Sequence, residues 1–121
     1  METFRITQAR RMCERVVLIS AVGKINAIGA RNLDQMIDRV LVARNLSRLV
    51  IDLTRVTHFS KREVDALLHA RELALRTGIE LRVVTAGRLV DDVLRKRHVI
   101  DEFHVSPDVD SACILTRMRS A

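Results

Sequence analysis

"LVIDLTRVTHFSKREVDALLHARELALRTGIELRVV" (Leu49–Val84) contains two short apolar runs separated by a longer amphipathic one. The first, "RLVIDLT" (Arg48–Thr54), is almost continuously apolar, the pattern of a strand covered on both faces. From Lys61 to Thr77 the apolar residues recur at helical spacing, which predicts a helix that buries Val64, Leu67, Leu68 and Leu75 and exposes Glu63, His69, Glu72 and Arg76. Gly78 follows, a common helix stop. "ELRVVTA" (Glu80–Ala86) reads as a second buried strand. Strand, helix, strand is the unit that joins parallel strands.

The same alternation extends outward. Upstream, "RVVLISAVGKI" (Arg15–Ile25) is β-branched and reads as a strand, with "FRITQA" (Phe4–Ala9) as a short partner strand. Between it and Arg48, the residues Leu33, Met36, Ile37, Val40 and Leu41 mark a helix over Arg31–Ala43. Downstream, "RLVDDVLRKR" (Arg88–Arg97) is a short helix and "EFHV" (Glu102–Val105) a last short strand. "SPDVDSACILTRM" (Ser106–Met118) opens as a helix should: Ser106 as N-cap, Pro107 first, Asp108 and Asp110 in the first turn. The order β-β-α-β-α-β-α-β-α predicts an α/β fold, a mostly parallel mixed sheet of four to five strands with about four helices. No repeat or linker divides the chain, so residues 1–121 are read as a single domain.

Composition narrows the function. Of 121 residues, 48% are apolar, with one Pro and four Gly, which excludes a disordered or low-complexity chain. No apolar run approaches the roughly 20 residues of a membrane helix, and the N-terminus lacks the signal-peptide order, so a cytoplasmic protein is expected. The net charge of +6 suits an acidic partner, nucleic acid or an anionic surface. Its basic residues are dispersed, however: Arg10, Arg11 and Arg15 early, Arg95, Lys96 and Arg97 late, Arg117 and Arg119 at the end. With only Phe4, Phe59 and Phe103 as aromatics, stacking platforms are scarce and nucleic acid is disfavoured.

Catalytic signatures are absent. There is no phosphate loop, dinucleotide fingerprint or nucleophile elbow. His58, His69, His98 and His104 are scattered, without metal-ligand spacing. Asp52 has no sequence partner that would make it a catalytic carboxylate. Cys13 and Cys113 read as reduced thiols, and whether they pair is left open. A non-enzymatic protein without catalytic residue, metal or cofactor is expected.

The Leu49–Val84 stretch resembles the STAS domain, the fold of bacterial anti-sigma factor antagonists. The likeness covers about Val16 to Leu115 and includes "GKIN" (Gly23–Asn26), where the family usually has Gly-Glu-Leu-Asp, and "VDDVLRKRHVIDEFHV" (Val90–Val105). The resemblance implies a STAS fold and a partner: a kinase-type anti-sigma factor, or a related regulator, bound to control transcription. It also implies a switch, in which the kinase modifies the first Ser of an Asp-Ser-Ser/Thr-Gly motif and the modified form lets go. Phosphate adds about −1.5 to −2 charge at that helix start. In this chain Ser60 stands at the Asp position, Lys61 at the phosphoacceptor, Arg62 at the next hydroxyl and Glu63 at the Gly, while Asn26 replaces the upstream Asp. The usual phosphorylation site is therefore absent.

Two cations at a helix start oppose the helix dipole, at about 0.3–1 kcal/mol each when exposed at low salt. "SKRE" (Ser60–Glu63) is also an S-x-x-E capping box, which contributes about 1 kcal/mol and offsets most of that cost. The expected partner surface is Asn26, His58, Ser60, Lys61, Arg62 and Glu63. Ser60 is a displaced phosphoacceptor candidate, with the cap preferred, and Thr54 and Thr57 rank below it. Two alternatives stand beside the antagonist reading: a STAS scaffold that self-associates or joins a sensory assembly, and a basic nucleotide- or nucleic-acid-binding module.

Overall fold

The computed structural model describes residues 5–11, 15–24, 27–42, 46–85, 88–106 and 108. Along these residues run β1 (Arg5–Arg11), β2 (Val16–Lys24), α1 (Ala27–Val42), β3 (Arg48–His58), α2 (Lys61–Thr77), β4 (Glu80–Val84), α3 (Leu89–Lys96), a 3₁₀ turn (Ile100–Glu102) and β5 (His104–Ser106). The strands form one sheet in the order β1-β2-β3-β4-β5. β1 and β2 pair antiparallel, and every later neighbour pairs parallel. This is the mostly parallel, mixed α/β sheet that the strand–helix alternation predicts.

The period-two alternation sorts each strand's side chains between two faces. Val17, Ile19 and Ala21 of β2, Leu49, Ile51 and Leu53 of β3, and Leu81 and Val83 of β4 share one core. The helices contribute Leu33, Ile37, Val40 and Leu41 from α1, Val64, Leu67, Ala70 and Ala74 from α2, and Val90 and Leu94 from α3. Val16, Val50 and Val84 form a second buried cluster on the other face, with Leu18 against it. Leu49, Val50 and Ile51 are all fully buried, so β3 is the doubly covered strand its apolar run implies.

That second face also holds a buried cation. Arg48, 0% exposed, donates from Nε (3.0 Å) and Nη2 (2.6 Å) to Glu80 Oε1. Arg82 donates from Nε to Glu80 Oε2 at 3.0 Å. Desolvation alone would raise the Glu80 pKa. The hydrogen bonds and charges of the two arginines outweigh it and hold the carboxyl below its usual value. The clamp ties the starts of β3 and β4, where Arg48 and Glu80 are register partners.

The structure reverses two burial expectations on α2, where Leu75 is exposed and Glu63 buried, and it moves several boundaries. β3 runs to His58 rather than Thr54, because β2 keeps pairing with it after β4 has ended: Val22 opposes Arg55, Gly23 opposes Val56 and Lys24 opposes His58. The register shifts between Ser20 and Val22 and again between Gly23 and Lys24. α1 begins at Ala27, four residues before the apolar periodicity becomes visible, because Gly29 interrupts the pattern in its first turn. Glu102 belongs to the 3₁₀ turn rather than the last strand, and β5 starts at His104. The helix expected over Ser106–Met118 lies outside the described residues, apart from Ser106, which ends β5, and Asp108; so do Cys13 and Cys113. Among the described residues no helix is long and apolar enough to cross a membrane.

Candidate functional site

In a parallel sheet the strand C-termini and the helix N-termini fall on the same edge. Here that edge carries the ends of β2 and β3 and the start of α2. Lys24 and His58 are register partners there, so the two chain segments leave the sheet side by side, with backbones about 4.8 Å apart. Gly23 takes a positive φ of 97°, a conformation that suits glycine, just where β2 bends out of register.

The turn into α2 is fixed from both sides. Phe59, 5% exposed, and Val64 both lie in the main core and occupy the two positions of a hydrophobic staple. Between them Ser60 is the N-cap and forms a capping box with Glu63. Glu63 closes the turn: its Oε1 accepts from the Ser60 N–H at 2.7 Å and from the Ser60 hydroxyl at 2.8 Å. The Ser60 carbonyl accepts from the N–H groups of Glu63 (3.1 Å) and Val64 (3.2 Å). Glu63 is 1% exposed, so its carboxylate is spent inside the turn.

This explains how the helix tolerates its first two residues. Lys61 and Arg62 are both exposed, and Glu63 supplies the negative charge that the helix start favours. His58 is exposed beside them, and Ser60 is half-buried. Of the residues expected at a partner surface, His58, Ser60, Lys61, Arg62 and Glu63 thus stand on one turn, with Glu63 facing inward. Asn26 lies outside the described residues.

The lesser candidates lie elsewhere. Asp52 sits within β3, and its Oδ1 accepts from the Thr54 N–H at 2.9 Å. Thr54 is half-buried and Thr57 exposed. His69 reaches across from α2 to Asp38 of α1, with Nε2 3.3 Å from Oδ1. Among the described residues no group of three or more His, Cys, Asp or Glu could hold a metal ion. The reading from sequence missed Lys24 and Arg55, exposed cations that the extended β2–β3 pairing brings to the same edge. Only the strand register reveals that juxtaposition.

Comparison with solved structures gives the same architecture repeatedly. The chain is similar to an anti-sigma factor antagonist from Mycobacterium paratuberculosis, with a TM-score of 0.79 and 24% identity over 91% of each chain. It is similar to the anti-sigma factor antagonist SpoIIAA in its unphosphorylated form, with a TM-score of 0.70 and 12% identity over 98% of this chain and 100% of that one. The phosphorylated Bacillus cell fate determinant SpoIIAA gives a TM-score of 0.67 at 9% identity, over 90% of this chain and 96% of that one. At such identities the likeness is one of fold. A comparison with curated protein sequences finds no match. The STAS domain family model matches residues 9–112, nearly the whole sheet and its helices, and the chain therefore belongs to the STAS domain family.

Proposed function

We propose that this protein is a non-enzymatic binding module of the anti-sigma factor antagonist type. It docks on a kinase-type anti-sigma factor, or a related regulator, and so controls transcription. The docking edge is formed by His58, Ser60, Lys61 and Arg62 with Asn26, while Glu63 holds the turn from within. Similarity of fold to anti-sigma factor antagonists supports the class.

One observation carries the finer reading. The first helical residue of α2, where the resemblance puts a phosphoacceptor, is an exposed lysine, and the hydroxyl before it is engaged by a buried carboxylate. A phosphate on Ser60 would lie against Glu63 and repel it. The module therefore binds without the usual release by phosphorylation.

The test is capture from native cytosol with and without ATP, comparing wild type with a Lys61→Glu/Arg62→Glu variant and identifying bound proteins by mass spectrometry. The expected result is an anti-sigma factor with a kinase-like fold, held equally with and without ATP and lost by the variant. Capture of no such factor overturns the reading. Self-association alone, seen by light scattering, would move the assignment to a scaffold.

A further inference from the structure

We infer that the sheet edge formed by Lys24, Arg55, His58, Lys61 and Arg62 is a docking surface for an acidic stretch of a partner protein. The inference rests on the binding-module reading above and supplies the chemistry of its partner.

Four of these five residues are full cations, and they come from three elements. Lys24 ends β2 beside His58 of β3, Arg55 lies opposite Val22, two steps of β2 or about 7 Å earlier, and Lys61 and Arg62 open α2. All five are exposed, and none of their side chains has an ion-pair or hydrogen-bond partner among the described residues. Five other arginines are answered by carboxylates, Arg48 and Arg82 by Glu80, Arg71 by Glu102, Arg76 by Glu72 and Arg95 by Asp92, whereas Arg15, Arg31, Arg39, Arg88 and Arg97 are exposed elsewhere without one among the described residues; what sets the edge apart is that three elements bring its cations together.

The nearby carboxylates do not neutralise the edge. Glu63 is turned into the capping box and Asp52 accepts a backbone N–H within β3. Asp65, exposed one turn along α2, makes no ion pair with Lys61. A group of like charges left uncompensated, two of them against a helix dipole, is unfavourable in the free chain and is relieved by an anionic surface. Phe59, the aromatic at this turn, is buried, which leaves the His58 imidazole as the exposed ring of the described edge, short of the row of aromatics on which successive bases stack. Complementary charge of this kind speeds encounter and fixes register more than it adds affinity.

The test is a titration of the ¹⁵N-labelled full chain with a ten-residue polyglutamate peptide, read by amide chemical shifts. Saturable shifts are expected at Lys24, Arg55, His58, Lys61 and Arg62, with Kd rising about fivefold or more between 20 and 150 mM NaCl. Lys61→Glu/Arg62→Glu is expected to weaken binding about tenfold while raising the melting temperature, because glutamates suit a helix N-terminus. That pairing of signs separates lost docking from lost folding. A control pair, Arg39→Glu/Lys96→Glu, reverses exposed cations in the last turns of α1 and α3 and is expected to leave Kd unchanged. Shifts at no site, shifts centred on the control residues, an equal effect of the control pair, or tighter binding of a twelve-base-pair DNA duplex to the edge would each overturn the inference. Capture of an anti-sigma factor that is insensitive to salt and to charge reversal would sink the acidic docking while leaving the antagonist reading in place. Peptide binding at the edge with no such factor captured would do the reverse.

Discussion

At the scale of single residues, the hinge of the site is Glu63, a carboxylate buried to 1% exposure that serves one turn. Replacing it with alanine removes the acceptor for both the N–H and the hydroxyl of Ser60. The expected loss is about 1–2 kcal/mol, since a cap goes and two half-buried donors lose their partner. Glu63→Gln keeps an amide oxygen in place and is expected to lose less than half as much, although it gives up the negative charge at the helix start. Urea unfolding of the three chains checks both values, and equal losses would mean that charge rather than hydrogen bonding holds the turn. This residue was legible from sequence because S-x-x-E is a local pattern, closed within four positions. Lys24 and Arg55 were not, since their neighbourhood depends on two register shifts between strands far apart in sequence.

At the scale of elements, α2 was legible at both ends, and α1 in its buried face of Leu33, Ile37, Val40 and Leu41 but not in its start. α2 begins at a capping box and stops at Gly78, whose φ of 74° is left-handed and whose following N–H, on Ile79, bonds the Ala74 carbonyl at 2.9 Å. A Cβ added to Gly78 meets nothing within 4 Å, so Gly78→Ala tests the backbone alone. The expected cost is about 1 kcal/mol, read by thermal or urea unfolding. The α1–α2 contact hides a weakness that no spacing reveals. Asp34 Oδ1 is buried without a hydrogen-bond partner, and His69 is paired instead with Asp38. Burial pushes the Asp34 carboxyl above its usual value, His69 pulls it down and Asp38 pushes it up again. An acid whose pKa is raised by folding favours the folded state when protonated, below the unfolded value of 3.8, and opposes it once pH rises through the folded value. Asp34→Asn is therefore expected to stabilise the protein at pH 7, with the gain disappearing below about pH 4. A pH series of melting temperatures for both chains reads the sign directly, and a variant less stable at pH 7 would show that the carboxylate is needed between the helices.

At the scale of the whole molecule, the charges are distributed unevenly, and that predicts a response to salt. Exposed pairs such as Arg76–Glu72 and Arg95–Asp92 span one helix turn each and weaken as salt screens them. The unanswered cations at the β2–β3 edge behave oppositely, because salt screens their mutual repulsion and their conflict with the α2 dipole. With a net charge of +6 the repulsive side is the larger, so wild type is expected to gain stability between about 20 and 150 mM NaCl, where the screening length falls from roughly 20 to 8 Å. Lys61→Glu/Arg62→Glu removes two units of charge at each position and takes the net from +6 to +2. It also turns both dipole interactions favourable, and salt then weakens them. Its melting temperature should exceed that of wild type at low salt, and the difference should shrink as salt rises. Parallel salt curves for the two chains would place the repulsion elsewhere than this edge. Convergent curves would mean that the fold holds its cations at a cost which an anionic partner removes.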